Sequence, residues 1–454
     1  MLAVEERCWL GTSTPLAFSP VPAAAAFMLA VAASVCHSQE MPVDLAHLRE
    51  RAEEHYFDGD YESATRVLAD AEKWLDSPLN KRDIARFGFD HSMLDAFFSG
   101  FRAEVLFAKG EQRKATGALR HAEKTLKNRR SRYVASGVLA PMLWQYEAFL
   151  EFVRGDLLQP IPDFGLADDP KMPAEVQQFF RSRGSASDAM ASYSRAENVL
   201  GDPRAVDIGS FFRRLEGRLL TSLARCKILK AGKPSQSDVV DCEALLERAE
   251  AAFGRGDFWQ RVINQAGADR LPLTFKEVNQ QSPDPTMRLA LKRIFAQTIS
   301  DWVEVQLLRA ELTAYQEQEG EADDGGRGAI ATAEQTYDRI VGFMKSQFGA
   351  NHASVQRVQL SRARWLVALA KSPEEEPATR FSLLQDCLSD LGNITKVASG
   401  DIVQAHAIEL AASSMMLDLD EQLGRLGPEE KQKYVTRVEE LKGAGFLGGA
   451  VERP

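Results

Sequence analysis

Two stretches near the start of the chain share one set of internal offsets: Ala52, Gly59, Ala64, Leu68 and Ala71, then Ala103, Gly110, Ala115, Leu119 and Ala122. Small residues at matched places on either side of a glycine require two helices in close approach with a tight turn between them. A short side chain lets the backbones come together, and glycine adopts the left-handed conformation that ends the first helix. Around the first copy, apolar residues fall at Leu45, Leu48, Ala52 and Tyr56, then at Tyr61, Ala64, Leu68, Ala71 and Leu75. Spacings of three and four predict two amphipathic helices. Asp58-Gly59-Asp60 breaks the first, and an aspartate there caps the second. Neither helix buries its apolar face alone, so such a pair must stack on neighbours. No segment alternates convincingly as a strand does, and the predicted class is all-α.

The offsets resemble the tetratricopeptide repeat, a 34-residue helix-turn-helix unit with small residues at its eighth, twentieth and twenty-seventh positions and a turn glycine near its fifteenth. A third copy is partial: Gly184, Ala189, Tyr193 and Ala196 agree, with Gln177 at the small eighth position. A fourth keeps Cys242, Leu246 and Ala249, while Arg225 replaces the small residue and the turn after Gly232 is longer. The glycines at 59, 110 and 184 are too far apart for a regular array, so inserts lie between the units. A long amphipathic helix is predicted near 288–317, with Leu291, Phe295, Trp302, Val305, Leu308 and Leu312 on one side, followed by an acidic, glycine-rich loop from Glu319 to Gly328. From Ala329 to Ala370 the chain resembles the longer repeat of kinesin light chains, with Phe348-Gly349-Ala350-Asn351-His352-Ala353-Ser354-Val355 as the turn. The resemblance implies an irregular right-handed α-solenoid of antiparallel helical hairpins. Proline-rich breaks at 158–186 and 261–286 divide it into N-terminal hairpins over 40–260, a linker over 261–286, C-terminal hairpins over 287–426, and a terminal helix near 428–442 with a flexible tail within 427–454.

Hydrophobic content of 44% and charged content of 26% are ordinary for a folded protein. The net charge of -10 argues against a general nucleic-acid binder, which needs a basic face. Lys124, Lys127, Arg129, Arg130 and Arg132 form a local basic cluster that reads as a solvated helix end. The apolar run Ala23–Val35 is too short to span a bilayer, so no transmembrane segment is expected in the mature chain. With the small and polar residues up to Gln39 it fits a secretory signal over 1–39 and export to a periplasmic or extracellular site. The acids Glu5 and Glu6 depart from that pattern, and a start at Met41 would make the protein cytoplasmic. Ala33-Ser34-Val35-Cys36 faintly resembles a lipoprotein cleavage box. Beyond this segment the cysteines are Cys226, Cys242 and Cys387, an odd number without a CxxC pair. The repeat resemblance places Cys226 and Cys242 on facing helices of one hairpin, where export would permit a disulfide and where two buried thiols would otherwise pack.

Chemical motifs fail on context. Gly443-Ala444-Gly445-Phe446-Leu447-Gly448 spells a dinucleotide-binding pattern but follows a helix rather than a strand. The acidic run Glu321-Ala322-Asp323-Asp324-Gly325-Gly326 lacks the closing carboxylate of a calcium loop, since Ala331 and Thr332 stand there. His55 beside Glu53 and Glu54 reads as a partly buried packing residue. No HExxH, GxSxG or P-loop is present. These readings predict no cofactor, no metal and no catalytic residues. The expected role is a non-enzymatic protein-interaction scaffold whose concave face holds a peptide or partner protein, with Arg49, Glu53, Arg102 and Leu106 exposed on the first helices. The alternatives are a structural subunit of a larger cell-envelope assembly and a helical-repeat enzyme with a deep, carboxylate-lined pocket.

Overall fold

The computed structural model describes residues 43–86, 90–135, 140–160, 166–182, 185–201, 210–231, 234–253, 301–302, 304–309, 311–313, 325–371, 375–392, 394 and 399–443. Among them every regular element is a helix. The leader 1–39, the linker 261–286, Leu291, Phe295, Gly184 and the tail beyond Gly443 lie outside the described residues.

The opening pattern folds as its offsets predict. Helices α1 (Val43–Phe57) and α2 (Tyr61–Asp76) pack on each other, with Ala52, Ala64 and Ala71 fully buried between them. Gly59 sits at φ 79°, and the Asp60 carboxylate accepts a hydrogen bond from the Ser63 N–H at 3.0 Å, which satisfies one orphan donor of α2. The second copy repeats this geometry. After the short α3 (Pro78–Arg86), α4 (His91–Ala108) and α5 (Gln112–Val134) meet across Gly110 at φ 84°, with Ala103, Ala115 and Ala122 buried.

The third pair differs from expectation. Helices α6 (Ala140–Leu158) and α8 (Ala186–Leu200) pack on each other, while α7 (Ala174–Ser182) is a short insert between them in sequence. Gln177 therefore holds no repeat position; its amide donates to the carbonyls of Asp169 and Met172 within the insert. The small residue that matters is Gly155 on α6, where an added Cβ would come within 2.3 Å of the Tyr193 ring. Likewise α9 (Ser210–Ala231) meets α10 (Gln236–Phe253) at Gly217, which the Phe253 ring covers, so Arg225 is free to point elsewhere.

Residues 301–302, 304–309 and 311–313 are helical, and Trp302, Val305, Leu308 and Leu312 are buried as their spacing requires. Helix α11 (Gly325–Phe348) begins inside the stretch predicted as loop. The turn after it keeps its expected form: Gly349 has φ 84°, and the Nδ1 of His352 accepts from the Ser354 N–H at 3.1 Å to cap α12 (Ala353–Ala370). Then follow α13 (Pro377–Leu391), α14 (Ser399–Leu423) and α15 (Pro428–Gly443), the last where sequence placed a terminal helix.

Two hydrophobic cores result. One runs from Leu45 to Cys226 and the other from Leu166 to Leu441, the insert residues Leu166, Met172, Val176 and Phe180 joining the second. They meet along α9, whose Leu215, Leu219, Leu223 and Cys226 enter the first while Leu220, Ala224 and Ile228 enter the second. This split settles the cysteines. Cys242 belongs to the second core with its thiol against the Ala224 carbonyl, and Cys226 faces the first, so both are free thiols rather than a disulfide. Burial pushes the Cys226 thiol up to about 12 and the Cys242 thiol up to about 11, which keeps both protonated and inert.

Candidate functional site

The end of the chain returns to its beginning. Helix α14 packs on α4, the Phe57 ring lies against Phe348 and His352, and Lys171 of the insert pairs with Asp418 at 3.1 Å. The Nε2 of His352 approaches Asp58 in the first turn at 3.4 Å. Where these parts meet, a small cleft opens, lined by Glu53, Tyr56 and Phe57 of α1, Phe97, Phe101 and Glu104 of α4, Phe149 of α6, Arg218 of α9, Asp301, and Arg357 of α12.

Its polar groups are organised around Glu104, a buried carboxylate. The Tyr56 hydroxyl donates to Glu104 at 3.1 Å and the Arg218 guanidinium donates at 3.0 Å. Burial, and then the Glu104 charge, holds the Tyr56 phenol well above its ordinary range, so it remains a donor. Burial acts to lower Arg218, but the charges of Glu104 and Asp301 outweigh it and the guanidinium stays protonated. Arg357 donates to the Tyr61 hydroxyl at 3.1 Å, with its guanidinium 5.9 Å from the centre of the Tyr56 ring. The remaining wall is aromatic, with Phe101 edge-on to Tyr56 and Phe97 beside Phe149.

Past the cleft the inner helices carry a ladder of ion pairs. Arg225 pairs with Glu304, which also accepts from Ser361 at 3.4 Å, and Arg364 pairs with Glu311 at 3.4 Å in a buried position. Arg218, Ser222 and Arg225 on α9 have the same spacing as Arg357, Ser361 and Arg364 on α12, and in each case the three residues share one helix face. This duplicated spacing was open to sequence reading, yet a search for small residues at repeat positions passes over it.

The four predicted first-helix positions scatter. Glu53 lines the cleft and pairs with Arg49 at 3.4 Å along α1. Arg102 turns toward α2, where it meets Glu72. Leu106, predicted exposed, is buried: α4 is packed by α2, α5, α6 and, from the far end of the chain, α14. A hairpin considered alone leaves that face open, and long-range packing covers it.

Beneath the cleft, the Tyr193 hydroxyl donates to Asp156 at 2.6 Å, and burial pushes the Asp156 carboxyl up to about 6. A raised carboxyl holds its proton in the folded state at a pH where the unfolded chain has lost it. Stability from this group is therefore present in acid and is lost as pH rises from about 4 through about 6. The expected result is that Asp156→Asn raises the thermal midpoint at pH 7 relative to the parent, with the difference vanishing below about pH 4. A difference independent of pH would show that Asp156 does not titrate in this way.

Among the described residues, no three His, Cys, Asp or Glu side chains converge as metal ligands, and no helix is long and apolar enough to cross a membrane. Compared with models of known protein families and with curated proteins, the chain matches none.

Proposed function

We propose that the protein is a non-enzymatic binding module, an irregular α-solenoid of antiparallel helical hairpins resembling tetratricopeptide repeats, that takes a peptide segment of a partner protein at the cleft lined by α1, α4, α6, α9 and α12. The observation that carries this reading is the cleft's lining. Aromatic rings supply broad apolar contact, while Glu104, Tyr56 and Arg218 satisfy one another. Such a wall grips a bulky side chain through apolar area and fixes it with a few placed polar groups.

Glu53 on α1 and Arg357 on α12 both line the cleft and are only half-buried. Peptide-display selection against the full chain is expected to enrich sequences sharing one aromatic or large aliphatic anchor. Glu53→Lys and Arg357→Gln, each first shown to keep the parent's circular dichroism, are expected to weaken those peptides at least tenfold. Failure to enrich any motif, or binders indifferent to both substitutions, would overturn the assignment.

A further inference from the structure

Helix α5 is the second helix of its pair and turns its outer face away from the cleft. In 23 residues it carries Arg113, Lys114, Arg120, Lys124, Lys127, Arg129, Arg130 and Arg132 against the single acid Glu123, in a chain whose net charge is -10. Some of these cations are engaged: Lys114 with Glu111, Arg130 with Glu147, Arg132 with Asp90. Others are not. At 100° per residue, Arg113, Gly117, Arg120, Lys124 and Lys127 fall within one narrow stripe opposite the buried Ala115, Leu119, Ala122 and Leu126. All five are exposed, and Arg120, Lys124 and Lys127 have no ion-pair partner among the described residues.

Gly117 is the second observation. A glycine in the middle of an exposed helix costs stability relative to alanine. On other helices Gly100, Gly155 and Gly217 each press against a neighbouring side chain, whereas Gly342 on α11 is open in the way Gly117 is. At Gly117 a Cβ would meet nothing within 4 Å. No contact inside the chain requires a glycine there, whereas close approach by an external backbone would.

We propose that the stripe Arg113, Gly117, Arg120, Lys124 and Lys127 on α5 is a docking surface for a short acidic segment of a partner protein, with Gly117 as the point of closest backbone approach. Charge complementarity selects an anion. Length selects a short one: Arg113 to Lys127 spans about 21 Å of helix, and the rest of the chain is more acidic than its overall -10. A nucleic-acid polymer or an anionic bilayer reaches past the stripe and meets that acidic remainder, while a segment of some six to eight extended residues, roughly 3.3 Å each, does not. The site is separate from the cleft and independent of the role assigned to it.

The test uses the full chain and a fluorescein-labelled octa-glutamate peptide, followed by anisotropy at low and at physiological salt. Saturable binding is expected, weakened by salt and lowered at least tenfold by the double substitution Lys124→Glu with Lys127→Glu. Gly117→Leu is expected to raise the thermal midpoint, since the site is open, and yet to weaken the peptide at least fivefold. No binding at low salt, or an affinity unchanged in both variants, would overturn the proposal. So would tighter binding of a 20-mer single-stranded DNA or of vesicles containing phosphatidylserine, since either would make the stripe a general polyanion surface.

Discussion

Arg218→Met is expected to lower folding stability by about 3–5 kcal/mol, because it removes one partner of a buried ion pair and leaves the other in place. Methionine keeps an apolar chain but loses the guanidinium that lies 4.7 Å over the Phe152 ring, so the loss reports the charge through both its ion pair and this ring contact. What remains is Glu104, buried on α4, with the Tyr56 hydroxyl donating to it from α1. The effect also reaches beyond one helix, because Arg218 sits on α9 and ties the fourth pair to the first two. Urea unfolding followed by circular dichroism supplies the measurement. The informative companion is the double variant Glu104→Gln with Arg218→Met. If the pair is coupled as its 3.0 Å contact indicates, removing both charges costs less than the sum of the single substitutions. Strict additivity would show that the two groups do not share one interaction, and the reading of the cleft's polar centre would fall with it.

How far the sequence discloses this molecule depends on the range over which a residue acts. Ala52, Gly59, Ala64 and Ala71 act on their immediate neighbours, and their spacing was sufficient to place two helices, a left-handed turn and an aspartate cap. The turn at Phe348-Gly349 was legible through its likeness to a known repeat, while the cap that His352 supplies was not foreseen. Gln177 misled because small-residue spacing cannot tell a repeat helix from an insert of similar composition; the true partner of α8 lies further back, in α6. Leu106 misled because its burial comes from the packing of several helices into the first core rather than from its own hairpin. The Cys226 and Cys242 thiols share a hairpin but not a core, since α9 buries two faces and each cysteine follows a different one. The cleft itself was the least legible feature. Its walls come from five helices and the 301–313 stretch, and only the return of α12 and α14 onto α1 and α4 assembles them. Glu53 was chosen as an exposed first-helix residue and does line that cleft, although Arg357, which lines it from α12, was not singled out. The duplicated Arg-Ser-Arg spacing on α9 and α12 is the sequence signal that would have marked both helices as inward-facing.

Gly155→Leu is expected to abolish the native packing of α6 on α8 and to lower stability by about 3 kcal/mol or more. Even the first carbon of a side chain at this position would lie 2.3 Å from Cε1 and 2.6 Å from Cδ1 of Tyr193, a distance at which one of them must move. Tyr193 has nowhere to go: the ring is fully buried, it packs beside Phe152, and its hydroxyl is anchored to Asp156 at 2.6 Å. Displacing the ring therefore also strips a hydrogen-bond donor from a carboxyl that burial already disfavours as a charge. The consequence separates this glycine from Gly117, where the same substitution meets open space. Measured side by side by thermal unfolding, Gly155→Leu should fall well below the parent and Gly117→Leu should rise above it. Hydrogen exchange should place the damage in α6, α8 and the α9 face that packs on α8, and leave α13 to α15 at parental protection. Equal behaviour of the two variants would mean that the close approach at Gly155 does not exist, and with it the pairing of α6 with α8 across the insert.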